Sequence, residues 1–563
     1  MARQFINSRT LGQDITAGLV LGIQSVPDGL AQGLVAFVNP IYGLYGYMMG
    51  TFTGAFFTSS VFMVVQATGA MSLVVASVPQ VHHPGTGDEA LFTLAILTGL
   101  VMFLLGLFKL GSLIRFVPHA VMVGFVNAVA LLIILGQLND FFGHNPGGGN
   151  RITQTINHAL NLNQSDLPTV MIGLTTIFLI ITLERTRLGA LGMVVAMMVA
   201  SLLVPLFGWD SVAQLNDIAE APGSLPRPVL PSLSLIPSLI IPAFSLAFVG
   251  LVQGASITQS YINPDGKYPD ASGDFVGQGV ANMFSGLFQG MPVGGSFSAT
   301  SLAANAGARS RFANIFAGLT MAVVIVVFGS YIGHIAMPTM AGLLIVIGFR
   351  TFKPEQVKMV WKTGLVQRVV MGITFFFCLL MPLQFAVLVG VAMSLLLYVL
   401  QQSNQITIKQ WKETEGPYPI EKDPPETLPA NEVLVLLPYG SLFFAAAPLF
   451  EKQLPEITEE TYNTVVVISL RGYEDLGSTF LTVLERYNED LQDHHGKLML
   501  AGISDSVVTQ LEQTKLIKKI GRENIYVATE QIGQAGLAAW EAAEKWVDEN
   551  RGQLVEVPTK PSD

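Results

Sequence analysis

Three stretches of this sequence place residue types that could do chemistry inside an otherwise apolar chain. Gln66-Ala67-Thr68-Gly69-Ala70-Met71 and Gly294-Gly295-Ser296-Phe297-Ser298-Ala299-Thr300 each set small residues and hydroxyls where a helix would begin. A helix N-terminus offers unpaired backbone N–H groups and about half a positive charge, so it binds an anion without a cationic side chain. Either run alone is also what an ordinary Ser/Thr cap looks like. Two such tips facing across a cavity would hold a small oxyanion. The third stretch is Val26-Pro27-Asp28-Gly29-Leu30-Ala31-Gln32. Here an acid sits near the middle of an apolar run, where a charge costs at least ~3 kcal/mol, so Asp28 is expected to work, binding H⁺ or Na⁺, or else to cap a helix restarting after Pro27. Gln253, with Ser256, Thr258, Gln259 and Ser260, gives a further polar face, suited to a cavity wall or to hydrogen bonds between helices. The candidate substrate-binding residues are therefore Thr68, Gly69, Ala70, Gln32, Gln253, Ser296, Phe297 and Ser298, with Asp28 as the candidate for a coupling ion.

The elements that must position these residues follow from composition. Of 563 residues, 51% are hydrophobic and 12% charged, at a mean hydropathy of +0.52, against roughly 25% charged residues in a soluble chain. Residues 1–404 hold 14 acids and 16 bases, whereas residues 405–563 hold 26 acids and 14 bases. The chain is thus two physical objects. No Lys, Arg, Asp or Glu occurs in 29–87, 116–139, 188–209, 228–264, 275–308, 312–349 or 369–408, and about 20 apolar residues suffice to cross a bilayer. Split at Pro, Gly and charged breaks, these runs predict fourteen transmembrane segments beginning near residues 12, 41, 68, 89, 119, 168, 188, 238, 275, 296, 312, 338, 367 and 384. With an even count and both termini cytoplasmic, fourteen of the sixteen Lys and Arg residues face inward and only Arg151 and Arg227 face outward. The third and tenth segments follow non-helical chain, 59–65 and 291–295, and lie 228 residues apart; the first and eighth are offset by 226. Seven spans followed by seven, each set broken at its third member, is the pattern of an inverted repeat, and such breaks mark a transporter's binding site. The repeats are read as about 10–208 and 236–402. The start, MARQFINSRT, lacks the apolar core of a signal peptide, so a multi-pass protein inserted in the cell membrane through its own helices is expected.

Residues 405–431 read as a charged, Pro-rich linker, and 432–555 as a small cytoplasmic α/β domain, with strands at 433–436, 465–468, 498–500 and 525–527 alternating with helices at 478–493, 506–520 and 533–549. The composition also excludes function classes. Cys378 is the single cysteine, which rules out disulfides within the chain and thiolate clusters. The adjacent pairs His82-His83 and His494-His495 point apart on a strand or helix, so no metal or other cofactor is expected beyond a coupling H⁺ or Na⁺. There is no glycine-rich phosphate loop with a Lys, hence no sign of an enzyme or an ATP-driven pump. A pI near 5.3 with no basic stripe argues against nucleic acid.

Taken with their order, these residues resemble the sulfate permease (SulP) family. The similarity rests on Asp14 with Ala17-Gly18 and Pro27, on Pro40-Ile41-Tyr42-Gly43-Leu44-Tyr45, and on Thr68-Gly69. It continues through Gly277-Gln278-Gly279-Val280-Ala281-Asn282, Phe288-Gln289-Gly290-Met291-Pro292, Gly295-Ser296-Phe297-Ser298 and Gly307-Ala308-Arg309-Ser310. The tail is similar to the family's STAS domain. The resemblance implies two seven-span inverted repeats, a core domain moving like an elevator against a gate domain, homodimers, regulators reached through the STAS domain, and transport of sulfate or bicarbonate. Exchange or channel behaviour occurs among relatives, and nucleobase permeases share the architecture but lack such a tail. Three positions depart from the pattern. Relatives often carry an acid where this chain has Gln253, an Arg where it has Ala299, and a Gln where it has Asp28. In the tail, Leu476-Gly477-Ser478-Thr479-Phe480 sits where relatives show an Asp-Ser-Thr-Gly-type loop; Ser478 matches a position phosphorylated in some STAS proteins, and a Ser/Thr helix cap explains it equally well.

Overall fold

Helices begin in this chain where Pro, Asn, Asp, Thr or Ser interrupts an apolar run, because those residues supply either a preset φ or an acceptor for the first free amides. In the computed structural model, which describes residues 10–111, 117–148, 151–218, 224–403, 405–412 and 420–551, Asn39 accepts from the amide of Ile41 ahead of Pro40, and Asp166 from that of Thr169. Arg3, Arg9 and Arg115, and residues 552–555 of the tail, lie outside the described residues.

The first half of the membrane unit comprises α1 (Leu11–Val35), α2 (Pro40–Phe57), strand β1 (Val65–Gln66), α3 (Gly69–Ala76), α4 (Gly87–Leu107), α5 (His119–Gly136), short α6 (Leu138–Phe142) and α7 (Arg151–Leu160), α8 (Leu167–Leu183) and α9 (Gly192–Phe207). The second half repeats it as α10 (Ile236–Ser260), α11 (Ala271–Leu287), β2 (Gly294–Gly295), α12 (Phe297–Asn305), α13 (Phe312–Ile332), α14 (Met337–Thr351), the short α15 (Pro354–Thr363), α16 (Leu365–Leu380) and α17 (Leu383–Ser403). Fourteen of these correspond to the fourteen expected segments. The third member of each half is a half-helix of 8 or 9 residues preceded by a strand. Six helices among the described residues are long and apolar enough to cross a bilayer unaided. The others fall short because they are interrupted, short or polar on a face that neighbouring helices cover.

Two groups of helices result. α4 packs along α11, α1 along α13 and α2 along both α11 and α13, while α5, α8, α14 and α16 pack among themselves. The first group can approach closely because the contact positions are small. A Cβ added at Gly99 of α4 would lie 2.5 Å from the carbonyl oxygen of Gly279 on α11, so those two backbones touch. Buried carboxylates then tie the non-helical chain to helix ends. Asp14 accepts from the amides of Arg309 (2.7 Å) and Ser310 (2.9 Å) and from the Ser310 hydroxyl (2.6 Å). Asp274 accepts from the Ser60 amide (2.7 Å) and from the hydroxyls of Ser60 (2.9 Å) and Thr258 (2.7 Å). One loop leads away from α12 and the other leads into β1, so each acid anchors one of the two breaks.

The second unit is a six-stranded sheet in the order β4-β3-β5-β6-β7-β8. Its strands are β3 (Thr407–Lys412), β4 (Ile420–Lys422), β5 (Val433–Tyr439), β6 (Val465–Ser469), β7 (Lys497–Ile503) and β8 (Ile525–Val527). The last four are parallel and buried on both faces, which is why they read as unbroken apolar runs. Leu434, Leu436, Val466, Ile468, Leu498 and Leu500 face α18 (Ala447–Gln453), α19 (Ser478–Asp493), α20 (Asp505–Gln513) and α21 (Leu516–Ile520). Val435, Val465, Val467 and Met499 face Ala539, Ala543 and Val547 of α22 (Gln534–Asn550). One expectation needs correcting. The stretch 405–431 is not merely a linker: β3 and β4 within it form an antiparallel edge on β5. Their charges belong to a solvated edge strand, which composition alone reads as linker.

Candidate functional site

The two half-helices meet through the smallest possible sheet. Val65 pairs with Gly295 and Gln66 with Gly294, antiparallel, and the Ser296 amide extends the ladder to the Val64 carbonyl at 2.9 Å. Because β1 runs into α3 and β2 runs into α12, antiparallel pairing makes the helices leave the ladder in opposite directions with both N-termini at the ladder. Paired Cα atoms across such strands lie about 4.5–5.5 Å apart, and only two residues separate Gln66 from Gly69, only one Gly295 from Phe297.

Each tip is capped by its own hydroxyl. Thr68 Oγ1 accepts from the Met71 amide and Ser296 Oγ from the Ala299 amide, both at 3.4 Å. The amides of Gly69 and Ala70 in α3, and of Phe297 and Ser298 in α12, are the first two of each helix, which intrahelical bonding leaves without acceptors. Phe297, 46% accessible, and Ser298 are exposed, and Thr68 and Gly69 are half-buried, so the tips are not sealed under packed side chains. Ser298 Oγ lies 3.3 Å from Ser296 Oγ. Ala70 is buried.

Around the tips, Gln253 of α10 and Gln32 of α1 bond to the first turn of α3. Thr68 donates to Gln253 Oε1 (2.7 Å), and Ser72 donates to Gln32 Oε1 (3.0 Å). Asp28 sits mid-helix, because α1 runs unbroken through Pro27; it therefore caps no restart, and its Oδ2 accepts from the Tyr47 hydroxyl at 3.0 Å. Of the other polar α10 residues expected on that face, Thr258 binds Asp274 rather than facing the tips, while Ser256, Gln259 and Ser260 are exposed. No charge stands at either departure from the family pattern on α10 or α12: Gln253 holds Thr68, and Ala299 is buried in the first turn of α12.

The ladder itself is held by residues to which sequence reasoning assigned no role. Asn282 donates from Nδ2 to the Val293 carbonyl (2.5 Å) and accepts at Oδ1 from the Val293 amide (2.8 Å). Gln278 Oε1 accepts from the Gly295 amide (2.8 Å), Thr300 Oγ1 from the Val64 amide (3.0 Å), and Ser25 Oγ from Gln66 Nε2 (2.9 Å). The spacing of Gln278 and Asn282, and of Gln24, Asp28 and Gln32, is one turn per step, a polar stripe on an apolar helix. In the second unit, Ser478 is exposed at the first position of α19, where Gly477 is the cap residue and no side chain caps. The capping explanation for Ser478 therefore fails.

Comparison with known proteins agrees with this architecture. The family signature described as the Sulfate permease family matches residues 11–374, and that of the STAS domain matches residues 425–532. The chain is 25% identical over 534 residues to the putative sulfate transporter YvdB of Bacillus subtilis, covering 93% of this chain and 98% of that one. It is 22% identical over 540 residues to the bicarbonate transporter BicA of Picosynechococcus, covering 93% and 94%. Its fold matches the murine anion transporter Slc26a9 in the inward-facing state with a TM-score of 0.81 at 18% identity, over 96% of this chain and 92% of that one. With its two seven-span halves, paired half-helices and C-terminal α/β unit, the chain belongs to the Sulfate permease family.

Proposed function

We propose that this protein moves a small inorganic oxyanion, sulfate or bicarbonate, across the cell membrane by secondary active transport. The observation that carries the reading is the β1–β2 ladder, which gathers four unpaired helix-terminal amides beside the hydroxyls of Ser296 and Ser298. Amides and hydroxyls suit oxygen atoms, and the two helix dipoles supply the positive potential. Gln32 and Gln253 act one step back, by fixing Ser72 and Thr68. In this reading the first helix group carries the site past the second in an elevator motion, both termini face the cytoplasm, the protein works as a homodimer, and cytoplasmic regulators reach it through the STAS domain, with Ser478 a candidate modification site. The relatives YvdB, described as a putative sulfate transporter, and BicA, a bicarbonate transporter, support the substrate class.

Asp28 is the coupling group in this reading, taking H⁺ or Na⁺ as the anion binds. The test is uptake of radiolabelled sulfate and bicarbonate by purified protein in liposomes, with imposed pH and Na⁺ gradients. Saturable accumulation driven by a cation gradient, and lost in Asp28→Asn, is the expected result. Accumulation driven only by a counter-anion would establish an exchanger, and non-saturating flux a channel. Unchanged cation coupling in Asp28→Asn would remove Asp28 from the mechanism, and uptake of nucleobases but of neither anion would overturn the substrate assignment.

A further inference from the structure

Two buried oxygen atoms on α1 have no hydrogen-bond partner: Oδ1 of Asp28 and Oε1 of Gln24. They belong to residues one helical turn apart, whose side chains share a face. The other carboxylate oxygen, Oδ2, is already engaged by the Tyr47 hydroxyl. Gln32, one turn further on, has its own Oε1 engaged by Ser72 and its side chain lies in hydrogen-bonding reach of the Asp28 carboxylate, yet Oδ1 is left without a partner. A buried acceptor without a donor is expensive, and here two such acceptors sit one turn apart on the same helix.

We infer that Asp28 and Gln24 form a proton-binding pair. A single proton, added to Asp28 Oδ1 from the aqueous side, neutralises the carboxylate and turns Oδ1 into a donor to Gln24 Oε1, so both orphaned atoms are satisfied at once. The proton is taken up as H⁺ and given back as H⁺, with no other bond made or broken. Na⁺ fits less well, since a hard cation collects a shell of several oxygens and this place offers two. The other titratable group facing the carboxylate is Tyr47 of α2. Among the described residues, α3, α9 and α12, which also pack against α1, carry no titratable side chain, and α13 and α14 carry only Tyr331 and Arg350 near their far ends. The inference rests on the reading of Asp28 as the coupling group and names its ion as H⁺ and Gln24 as its positioning residue.

The test is an infrared pH titration of the full-length protein in liposomes, without any anion substrate. The wild-type chain should show a protonated-carboxyl stretch that titrates and is missing in Asp28→Asn. Gln24→Leu removes the acceptor of the protonated form, so the midpoint should fall; Tyr47→Phe removes a donor to the carboxylate, so it should rise, each by about one pH unit, the size of one net hydrogen bond. Opposite shifts support the pair. Shifts in the same upward direction mean that the Gln24 amide is turned the other way and donates to the carboxylate, which overturns the inference, as does an unmoved midpoint in Gln24→Leu. A titrating band accompanied by unchanged cation coupling of transport in Asp28→Asn would retain the proton site and refute only its role in transport. Both variants should elute as the wild type does on gel filtration. Should Gln24→Leu fail that check, Gln24→Met carries the same prediction.

Discussion

Replacing Gly295 with Ala tests whether the ladder sets the binding tips. A Cβ at this position would lie 2.7 Å from the Cα of Gly254 on α10, 3.1 Å from Ile257 Cδ1 and 3.3 Å from the Gly254 amide nitrogen. Ordinary contact begins at 3.4 Å, so the shortfall against Gly254 is 3.4 − 2.7 = 0.7 Å, and it is against backbone, which cannot swing aside as a side chain can. Either β2 or α10 must move by that much. Overpacking of this kind costs about 1–3 kcal/mol of stability. The Phe297 amide is two residues away, so the same displacement loosens the charge-assisted hydrogen bond proposed for it to the anion. Losing one such bond, about 1.5–3 kcal/mol, raises the KM for the transported anion by roughly 10- to 100-fold. Uptake kinetics in liposomes read this directly, with Gly372→Ala as the control, since a Cβ on that α16 glycine meets nothing within 4 Å. Adding Ile257→Val removes only the Ile257 contact and should not rescue Gly295→Ala. A KM within twofold of wild type in Gly295→Ala, with the fold intact, would refute the claim that this ladder positions the site.

Further outcomes follow from the same network. Thr68→Ala removes the cap of α3 and the donor to Gln253 together; it should raise KM about 5- to 10-fold, at about 1 kcal/mol per lost interaction, while Thr68→Ser stays near wild type in the same uptake assay. Asn282→Leu strands the buried amide and carbonyl of Val293, at about 1–3 kcal/mol for each unsatisfied group, and should lower the melting temperature in detergent even without substrate. Asp14→Ala frees the amides of Arg309 and Ser310 and should make the chain after α12 more open to proteolysis than in wild type, measured as the rate of limited digestion at Arg309 and Arg311.

Much of the membrane architecture was legible because a bilayer leaves few options: every backbone polar group must be paired, so apolar runs bounded by breaks become helices. The half-helices announced themselves by the small and β-branched residues before Thr68 and Ser296. The partners of the ladder did not, since Gln278, Asn282 and Ser285 look on sequence like ordinary interhelical polar residues, and only their bonds to Val293, Gly295 and Met291 reveal their role. In the tail, the four parallel strands stood out by their apolar runs, whereas β3 and β4 were hidden because an edge strand keeps one side solvated and reads as polar chain. A cap at Ser478 was one of two readings that residue type left open, and it fails by one position, a margin that composition does not resolve.

The absence of charge on α10 and α12 next to the tips makes the placement of Asp28 informative. A buried cation beside the half-helices would bind the anion strongly but would need a compensating acid within reach, and an unpaired member of such a pair is costly. Here Gln253 and Ala299 stand where the resemblance leads one to expect an acid and a base, so in the proposed site attraction falls to amides and dipoles whose strength does not vary with pH. In the proposed reading Asp28, the acid of α1 that is not tied to a helix end as Asp14 is, is then free to respond to protons. Asp28 is held by Tyr47 on α2 and by Gln32, so in the proposed reading a change in its charge meets the anion's ligands only at one remove, through Gln32 and Ser72. Proton binding would reach the anion through the field across the cavity. Moving the acid back, as in the double variant Asp28→Gln with Gln253→Glu, should therefore restore cation-linked uptake lost in Asp28→Gln. If that double variant is no better coupled than Asp28→Gln alone, the acid's location on α1 matters for more than its charge.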